Sequence, residues 1–195
     1  MELKFFNRDG NHFPIFANHI KHGLTVGLHH HACIEIAYFI KGSATHIYKG
    51  QSMFMTAGDL VIIPSGSEHC YIQNHSVDIV NCLFLPEVLQ SDIEWFQKTE
   101  GFFELFIAEP FFRSENNLRD KLTIPEEERE KLEFHFLEIT RETEEASSGY
   151  EIAAKTHLFQ LMLMLCRIYT TQKKASTAAK GSIGKASLVR EAIQY

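Results

Sequence analysis

The chain has 195 residues, of which 45% are hydrophobic and 23% are charged. This size and composition allow a sizeable core and exclude a disordered chain, and a net charge of −6 excludes a basic nucleic-acid footprint for the chain as a whole. No segment approaches the roughly 18 apolar residues of a membrane span. Four scattered cysteines without a C-x-x-C pair and the lack of a signal-peptide pattern predict a reduced, cytoplasmic location without a membrane partner.

Short apolar or alternating runs, separated by turn residues, fill the chain from about residue 13 to residue 85. Such runs are typical of strands, and no helix-length periodic segment lies between them. The pattern therefore predicts an antiparallel sandwich or barrel. The predicted strands include 34–40, 44–48, 60–63, 69–73 and 77–84.

Two long helices are predicted after the strands, at about residues 126–146 and 150–172. Thr123 and Glu126 fit an S/T-x-x-E capping box at the start of the first helix. A three-residue connection makes the two helices antiparallel neighbours. The second helix carries apolar residues at 4-3-4-3 spacing, namely Ala154, Leu158, Leu161, Leu165 and Ile168.

The last 23 residues change in composition. Residues 173–187 are rich in Ser, Ala, Gly and Lys, which is a linker composition. Residues 188–195 begin an amphipathic helix that is too short to be stable by itself. This tail is either frayed or the beginning of another domain.

Histidines and one glutamate form the most informative pattern. On a strand, alternate residues share a face, so His29, His31 and Glu35 are expected to point one way and His30 the other. His69, on a second strand, completes a set of three imidazoles and one carboxylate. These ligands suit one divalent transition metal such as Zn, Ni, Fe(II), Mn or Co. Because ligation needs neutral imidazoles, occupancy is expected to fall below about pH 6.

The same residues resemble the two signature motifs of the cupin family. Gly23, His29, His31, Glu35 and Gly42 keep every spacing of G-x5-H-x-H-x3-E-x6-G. The second motif, G-x5-P-x-G-x2-H-x3-N, is matched by four residues, with Gln73 in the place of Asn. Those four residues are Gly58, Pro64, Gly66 and His69. The resemblance implies a mostly β protein with α-helices, in which residues 1–90 form a jelly-roll barrel, and it implies His29, His31, Glu35 and His69 as metal ligands.

A cupin followed by a helix pair and a linker further resembles the AraC-type transcriptional regulators. This resemblance implies an effector-sensing barrel, a helical dimerisation region at 91–172, a linker at 173–187 and, at 188–195, the first helix of a missing DNA-binding domain. It implies a homodimer through the C-terminal helices, a small-molecule effector, and contact with DNA only through the missing domain. No enzyme activity is then expected.

Other interpretations remain open at this point. The His/Glu set is also compatible with a metal-free polar pocket for the effector, with Tyr48 and Tyr71 as candidate ligand-binding residues. A stand-alone metal-dependent cupin enzyme, of isomerase or dioxygenase type, is the alternative function, since an accessible metal activates water, oxygen or a carbonyl. The apolar stripe of the second helix fits packing on the barrel as well as a dimer interface.

Overall fold

Nine strands of the described residues form two antiparallel sheets. The structure, a computed structural model, describes residues 12–21, 26–48, 50–73, 76–108 and 121–193. The first sheet has the order β1-β8-β3-β6-β9 and the second has the order β2-β7-β4-β5. The strands are β1 (Ile15–Ile20), β2 (Val26–His29), β3 (Ile34–Lys41), β4 (Ser43–Tyr48), β5 (Gln51–Thr56), β6 (Asp59–Ile63), β7 (His69–Gln73), β8 (Asp78–Phe84) and β9 (Leu122–Thr123).

The first sheet is covered on both faces, and successive side chains of each strand belong alternately to one face and to the other. Ile36 and Tyr38 of β3 belong to the hydrophobic cluster under the helices, whereas Ala37 and Phe39 belong to a second cluster between the sheets. Such two-sided burial explains why β6 is apolar at almost every position. The hydroxyl of Tyr38 donates to Glu133 at 3.2 Å, so this tyrosine faces away from the barrel interior.

Helices pack on the outer face of the first sheet. They are α1 (Ile93–Gln97), α2 (Glu126–Glu145) and α3 (Tyr150–Ile193), with a 3-10 turn at Pro86–Leu89 and a π-helical segment at Phe103–Ala108. Leu132, Phe136 and Ile139 of α2 are fully buried in the cluster shared with the sheet. Residues 146–149 connect α2 to α3. Nδ1 of His135 in α2 lies 3.1 Å from Nδ1 of His157 in α3, as expected for antiparallel neighbours. The predicted fold class, mostly β with an antiparallel helix pair, is therefore confirmed.

Two local predictions differ from the structure. The predicted capping box is absent because Thr123 lies in β9 and its hydroxyl donates to Asp59 at 2.9 Å, while Pro125 occupies the N-cap position of α2. Helix α3 also continues to Ile193, through the segment predicted as a linker. Alanine and lysine are good helix formers, and only Gly181 and Gly184 disfavour this continuation.

A buried carboxylate joins the end of the barrel to the helices. The side chain of Asp59 is 3% exposed and accepts hydrogen bonds from Lys121 at 2.6 Å, from Thr123, and from the amide and hydroxyl of Thr56. Lys121 also donates to the carbonyl oxygen of Phe54 at 2.7 Å. Since Lys121 and Thr123 immediately precede α2, these bonds fix where the helix pair starts.

The long helices are not of the membrane-spanning kind. In the ranges given above, no helix combines the length and the apolar character that a membrane span requires.

Candidate metal centre

His29 and His31 lie where the chain passes from the second sheet to the first. His29 ends β2 in the second sheet, residues 30–33 form a bend, and Glu35 lies on β3 in the first sheet. The prediction that His29, His31 and Glu35 share one strand is therefore wrong, although the three side chains do meet. They meet because the chain turns from one sheet to the other between them.

His69 lies in the second sheet, on the strand next to that of His29. It begins β7 and is paired with His29 of β2. The preceding turn contains Gly66 at φ +74°, in the left-handed region that favours glycine. The amide of Gly66 donates to the carbonyl oxygen of His31 at 2.8 Å. The turn that carries His69 is thus attached directly to the bend that carries His31.

The three histidines are oriented in the same way. Each Nδ1 lies within hydrogen-bond distance of a backbone carbonyl oxygen two residues away, which favours a proton on Nδ1 and leaves Nε2 as the ligand atom. The pairs are His29 with Gly27 at 2.9 Å, His31 with Cys33 at 3.0 Å and His69 with Ser67 at 3.1 Å. The thiol of Cys33 also lies 3.2 Å from Nδ1 of His31. Backbone anchors of this kind are typical of histidines that ligate a metal.

One ligand atom from each of the four residues lies within 4.8 Å of the others. Nε2 of His31 is 2.6 Å from Oε2 of Glu35, and Nε2 of His69 is 3.4 Å from the same oxygen. Glu35 and His69 are buried, and His29 is only partly buried, so it forms the solvent side of the cluster. The structure thus brings together all four residues predicted from the sequence.

Charge is concentrated in this cluster. Burial opposes ionisation of Glu35, but its contacts with His31 and His69 outweigh this effect and hold the pKa of the carboxyl below its usual range. Burial likewise opposes a charge on His31, yet its hydrogen bonds to Cys33 and Glu35 raise its pKa. For His29, burial is the largest effect and lowers the pKa. The contact between His31 and Glu35 therefore favours the charged form of each side chain.

The residues present fit a divalent transition metal. Three imidazoles and one carboxylate are the donor set that such metals prefer. Nε2 of His69 is buried and, in the described part of the chain, has no hydrogen-bond partner. An unsatisfied nitrogen aimed at a carboxylate and two other imidazoles is what a bound cation would satisfy.

Four other residues lie near the cluster but are not part of it: one is exposed and three are buried between the sheets. His30 is exposed, as its exclusion from the ligand set predicted. Tyr48 and Tyr71 are buried between the sheets, where the hydroxyl of Tyr48 lies 3.3 Å from Oγ of Ser67. The ring of Tyr71 stacks at 4.7 Å on His46, which is fully buried and 5.9 Å from the ring of His69.

Some residues around the centre were not found by sequence reasoning. Cys33 and Ser67 support His31 and His69, but backbone hydrogen bonding leaves no residue signature in a sequence. Their place two residues from a ligand was the one available signal. Gly23 of the first motif lies outside the described residues.

Comparisons with known proteins match the part of the chain that contains this cluster. The family described as Cupin domain (Cupin_2) matches residues 18–85, which include all four residues of the cluster. A curated relative, the HTH-type transcriptional activator RhaR of Mannheimia succiniciproducens, is 22% identical over 148 residues. The match covers 76% of this chain and 49% of the relative, so the chain spans about half the length of that protein.

Several solved structures also resemble the chain. An RmlC-like cupin from Shewanella frigidimarina is 18% identical, with 38% of this chain and 69% of that chain covered and a TM-score of 0.36. KdgF from Halomonas is 16% identical, with 36% and 69% covered and a TM-score of 0.33. Oxalate decarboxylase of Bacillus subtilis, which has Mn(II) centres, is 28% identical, with 37% and 21% covered and a TM-score of 0.32.

The motif resemblance, the fold and the matched family lead to one conclusion. The two sheets and the helix pair agree with the predicted jelly-roll barrel and its C-terminal helices. The family match places a cupin domain at residues 18–85, and the chain is similar over 148 residues to the transcriptional activator RhaR.

Proposed function

We propose that this chain is the effector-sensing and dimerisation part of a transcriptional regulator, and that a divalent transition metal in the barrel helps to bind the effector. The observation that carries the proposal is the convergence of His29, His31, Glu35 and His69 within 4.8 Å. The regulatory part is supported by the relative RhaR, a transcriptional activator. Such a regulator acts in the cytoplasm and contacts DNA through a separate domain.

The four residues have distinct parts in holding the metal. His31, Glu35 and His69 would hold the metal from the buried side of the site, and His29 would bind it from the side nearer to solvent. The metal supplies Lewis-acid attraction for an oxygen of the effector. The carbonyl oxygens of Gly27, Cys33 and Ser67 keep the imidazoles aimed at the centre.

Metal binding is tested on tag-free protein. We expect elemental analysis to find a divalent transition metal, and we expect Zn or Ni, added to chelator-treated protein at about 100 times its Kd, to raise the Tm by roughly 5 °C or more. Mg²⁺ is the control, because it prefers oxygen ligands to imidazole. Protein without metal, whose Tm is unchanged by Zn, Ni and Mn, contradicts the metal proposal.

A metal-dependent enzyme is the second candidate, and the same cluster favours it because cupin metal centres also support catalysis. The regulator relative argues against it. Sequencing the gene beyond Tyr195 separates the two candidates. A helix-turn-helix region supports the regulator, whereas a stop codon supports the enzyme.

The domain organisation that we propose keeps the boundaries given above. Residues 1–90 form the sensing barrel, to which β9 adds an edge strand, 91–172 the helical dimerisation region, 173–187 the connection and 188–195 the start of the DNA-binding domain. Because α3 is continuous to Ile193, the connection is a helix rather than an irregular segment. A change in the barrel would then reach the DNA-binding domain through this helix.

The dimer interface that we propose lies on α2. The 4-3-4-3 stripe of α3, from Ala154 to Ile168, is buried in the core of its own chain and therefore cannot face a partner. On α2, Phe134 and Leu137 are 51% and 49% exposed. Glu130 and Arg141 lie one turn before and one turn after them, so an antiparallel second copy would place opposite charges side by side.

A substitution on α2 tests this interface. We expect Leu137→Asp to dissociate the dimer at micromolar concentration, because a carboxylate would be buried without a partner. Light scattering measures the mass. The matched control is Ile152→Asp, which changes a 75% exposed residue of α3 and should leave the dimer intact. A wild-type monomer, or a Leu137→Asp dimer, contradicts the proposed interface.

A further inference from the structure

Two asparagines lie on the interior face of the first sheet. Asn18 of β1 is paired with Asn81 of β8. Asn81 is two residues from Ile79, which belongs to the cluster between the sheets, and Asn18 alternates with Ile15 and Ala17, which belong to the cluster under the helices. Since alternate residues of a strand share a face, both asparagines point into the barrel.

Both amide oxygens are buried without a partner. Oδ1 of Asn18 and Oδ1 of Asn81 are shielded from solvent and, among the residues that the structure describes, accept no hydrogen bond. Buried acceptors are rarely left unsatisfied, because their desolvation is costly. Two of them side by side in a barrel interior indicate a place where a ligand supplies the missing donors.

This pair lies beside the His/Glu cluster. Glu35 of β3 is paired with Leu83 of β8, two residues from Asn81 on the same face. Residues in this diagonal relation are about 7–8 Å apart. Asn81 itself faces the small side chain of Ala37 across the strands. One small molecule is therefore long enough to contact both the cluster and the asparagines.

The two ends of such a molecule need different chemistry. A neutral amide oxygen accepts a hydrogen bond from a hydroxyl, and each hydroxyl donates to one such oxygen. A buried ammonium would instead need a paired charge to compensate its desolvation. At the other end, a divalent cation with one carboxylate, Glu35, leaves a net positive charge that attracts an anionic oxygen. A carboxylate supplies that oxygen.

We propose that the barrel binds a small hydroxycarboxylate, with its carboxylate at the His29/His31/Glu35/His69 cluster and a hydroxyl that donates to Asn81, where a second hydroxyl of the ligand would donate to Asn18. This inference rests on the proposed effector site and names the chemical class of its ligand. The asparagines then act in specificity, because they favour a ligand with a hydroxyl over the same ligand without one.

The test compares butyrate with 2-, 3- and 4-hydroxybutyrate on the metal-loaded chain by calorimetry. We expect at least one hydroxybutyrate to bind about tenfold more tightly than butyrate. In Asn81→Leu, which keeps the branching of the side chain but removes the acceptor, we expect this ratio to fall to about one. The Tm without ligand should stay the same or rise, because a buried unsatisfied group has been removed. Ser52→Ala, at an exposed position of β5, is the matched control and should keep the wild-type ratio.

The outcomes separate this inference from the metal proposal. Equal binding of butyrate and all hydroxybutyrates, or no binding of any of them to metal-loaded protein, overturns the inference and leaves the metal proposal standing. An Asn81→Leu variant with a lower Tm and an unchanged ratio shows a structural role and also overturns it. A hydroxyl preference that depends on Asn81 in protein without metal supports the inference and contradicts the metal proposal.

Discussion

Replacing His69 by alanine is expected to lower the affinity of the chain for Zn or Ni by at least about 100-fold, since loss of a ligand costs no less than loss of its supporting contacts. His69 is fully buried, and its Nε2 has no hydrogen-bond partner within the described ranges. Calorimetric titration of chelator-treated, tag-free protein measures the change. The Tm of the variant should no longer respond to either metal.

The chain supplies its own control for this experiment. His30 lies between two of the cluster residues but is exposed, so His30→Ala should bind metal as the wild type does. Glu35→Gln is the second cluster variant, because glutamine keeps the shape of the side chain and removes the charge. If the cluster is only a buried hydrogen-bond network, His69→Ala will lower the Tm by the same amount with and without metal, which would refute the metal centre.

Replacing Asp59 by asparagine should lower the free energy of unfolding by about 3 kcal/mol, because Lys121 then loses its buried partner. Asp59 accepts hydrogen bonds from Lys121, Thr56 and Thr123. Urea denaturation followed by circular dichroism measures the difference. The control is Asp92→Asn, which removes an ion pair with Lys155 in which both side chains are 36% exposed. Such solvent-exposed pairs contribute little to stability, so this variant should unfold almost as the wild type does.

The contribution of Asp59 also depends on pH. Burial raises its pKa, but the hydrogen bonds from Lys121, Thr56 and Thr123 outweigh burial and leave the pKa below the usual carboxyl value. A lowered pKa in the folded state stabilises the protein above the unfolded value, near pH 4, and this stabilisation is lost as the pH falls through the folded value. The wild type should therefore lose stability below about pH 4 more steeply than Asp59→Asn. Parallel pH profiles would contradict this role.

The candidate centre was predictable because its residues are fixed by local spacing. His29, His31 and Glu35 are close in the chain, and His69 follows a turn that contains Gly66. The bend at 30–33, not a shared strand, brings the first three together. Strand alternation gave the right residues through the wrong geometry, since parity along a strand does not reveal where the chain changes sheets.

The helices show a second limit of sequence patterns. The stripe from Ala154 to Ile168 correctly predicts a helix with one apolar face, but the pattern is the same whether that face covers the barrel or a second copy. Likewise, Thr123 fits a helix cap as well as a strand, and only its bond to Asp59, 64 residues earlier in the chain, decides between them.

The sequence by itself determined the short strands, the two long helices and the four residues of the cluster, because alternation, apolar periodicity and motif spacing are local properties. The tertiary structure alone decided which sheet carries each ligand, that the α3 stripe faces its own core, and that Asn18 and Asn81 meet inside the barrel. These features depend on contacts between segments that are far apart in the chain. A local pattern states which side chains share a face, but the partner of that face is set only when the whole chain has folded.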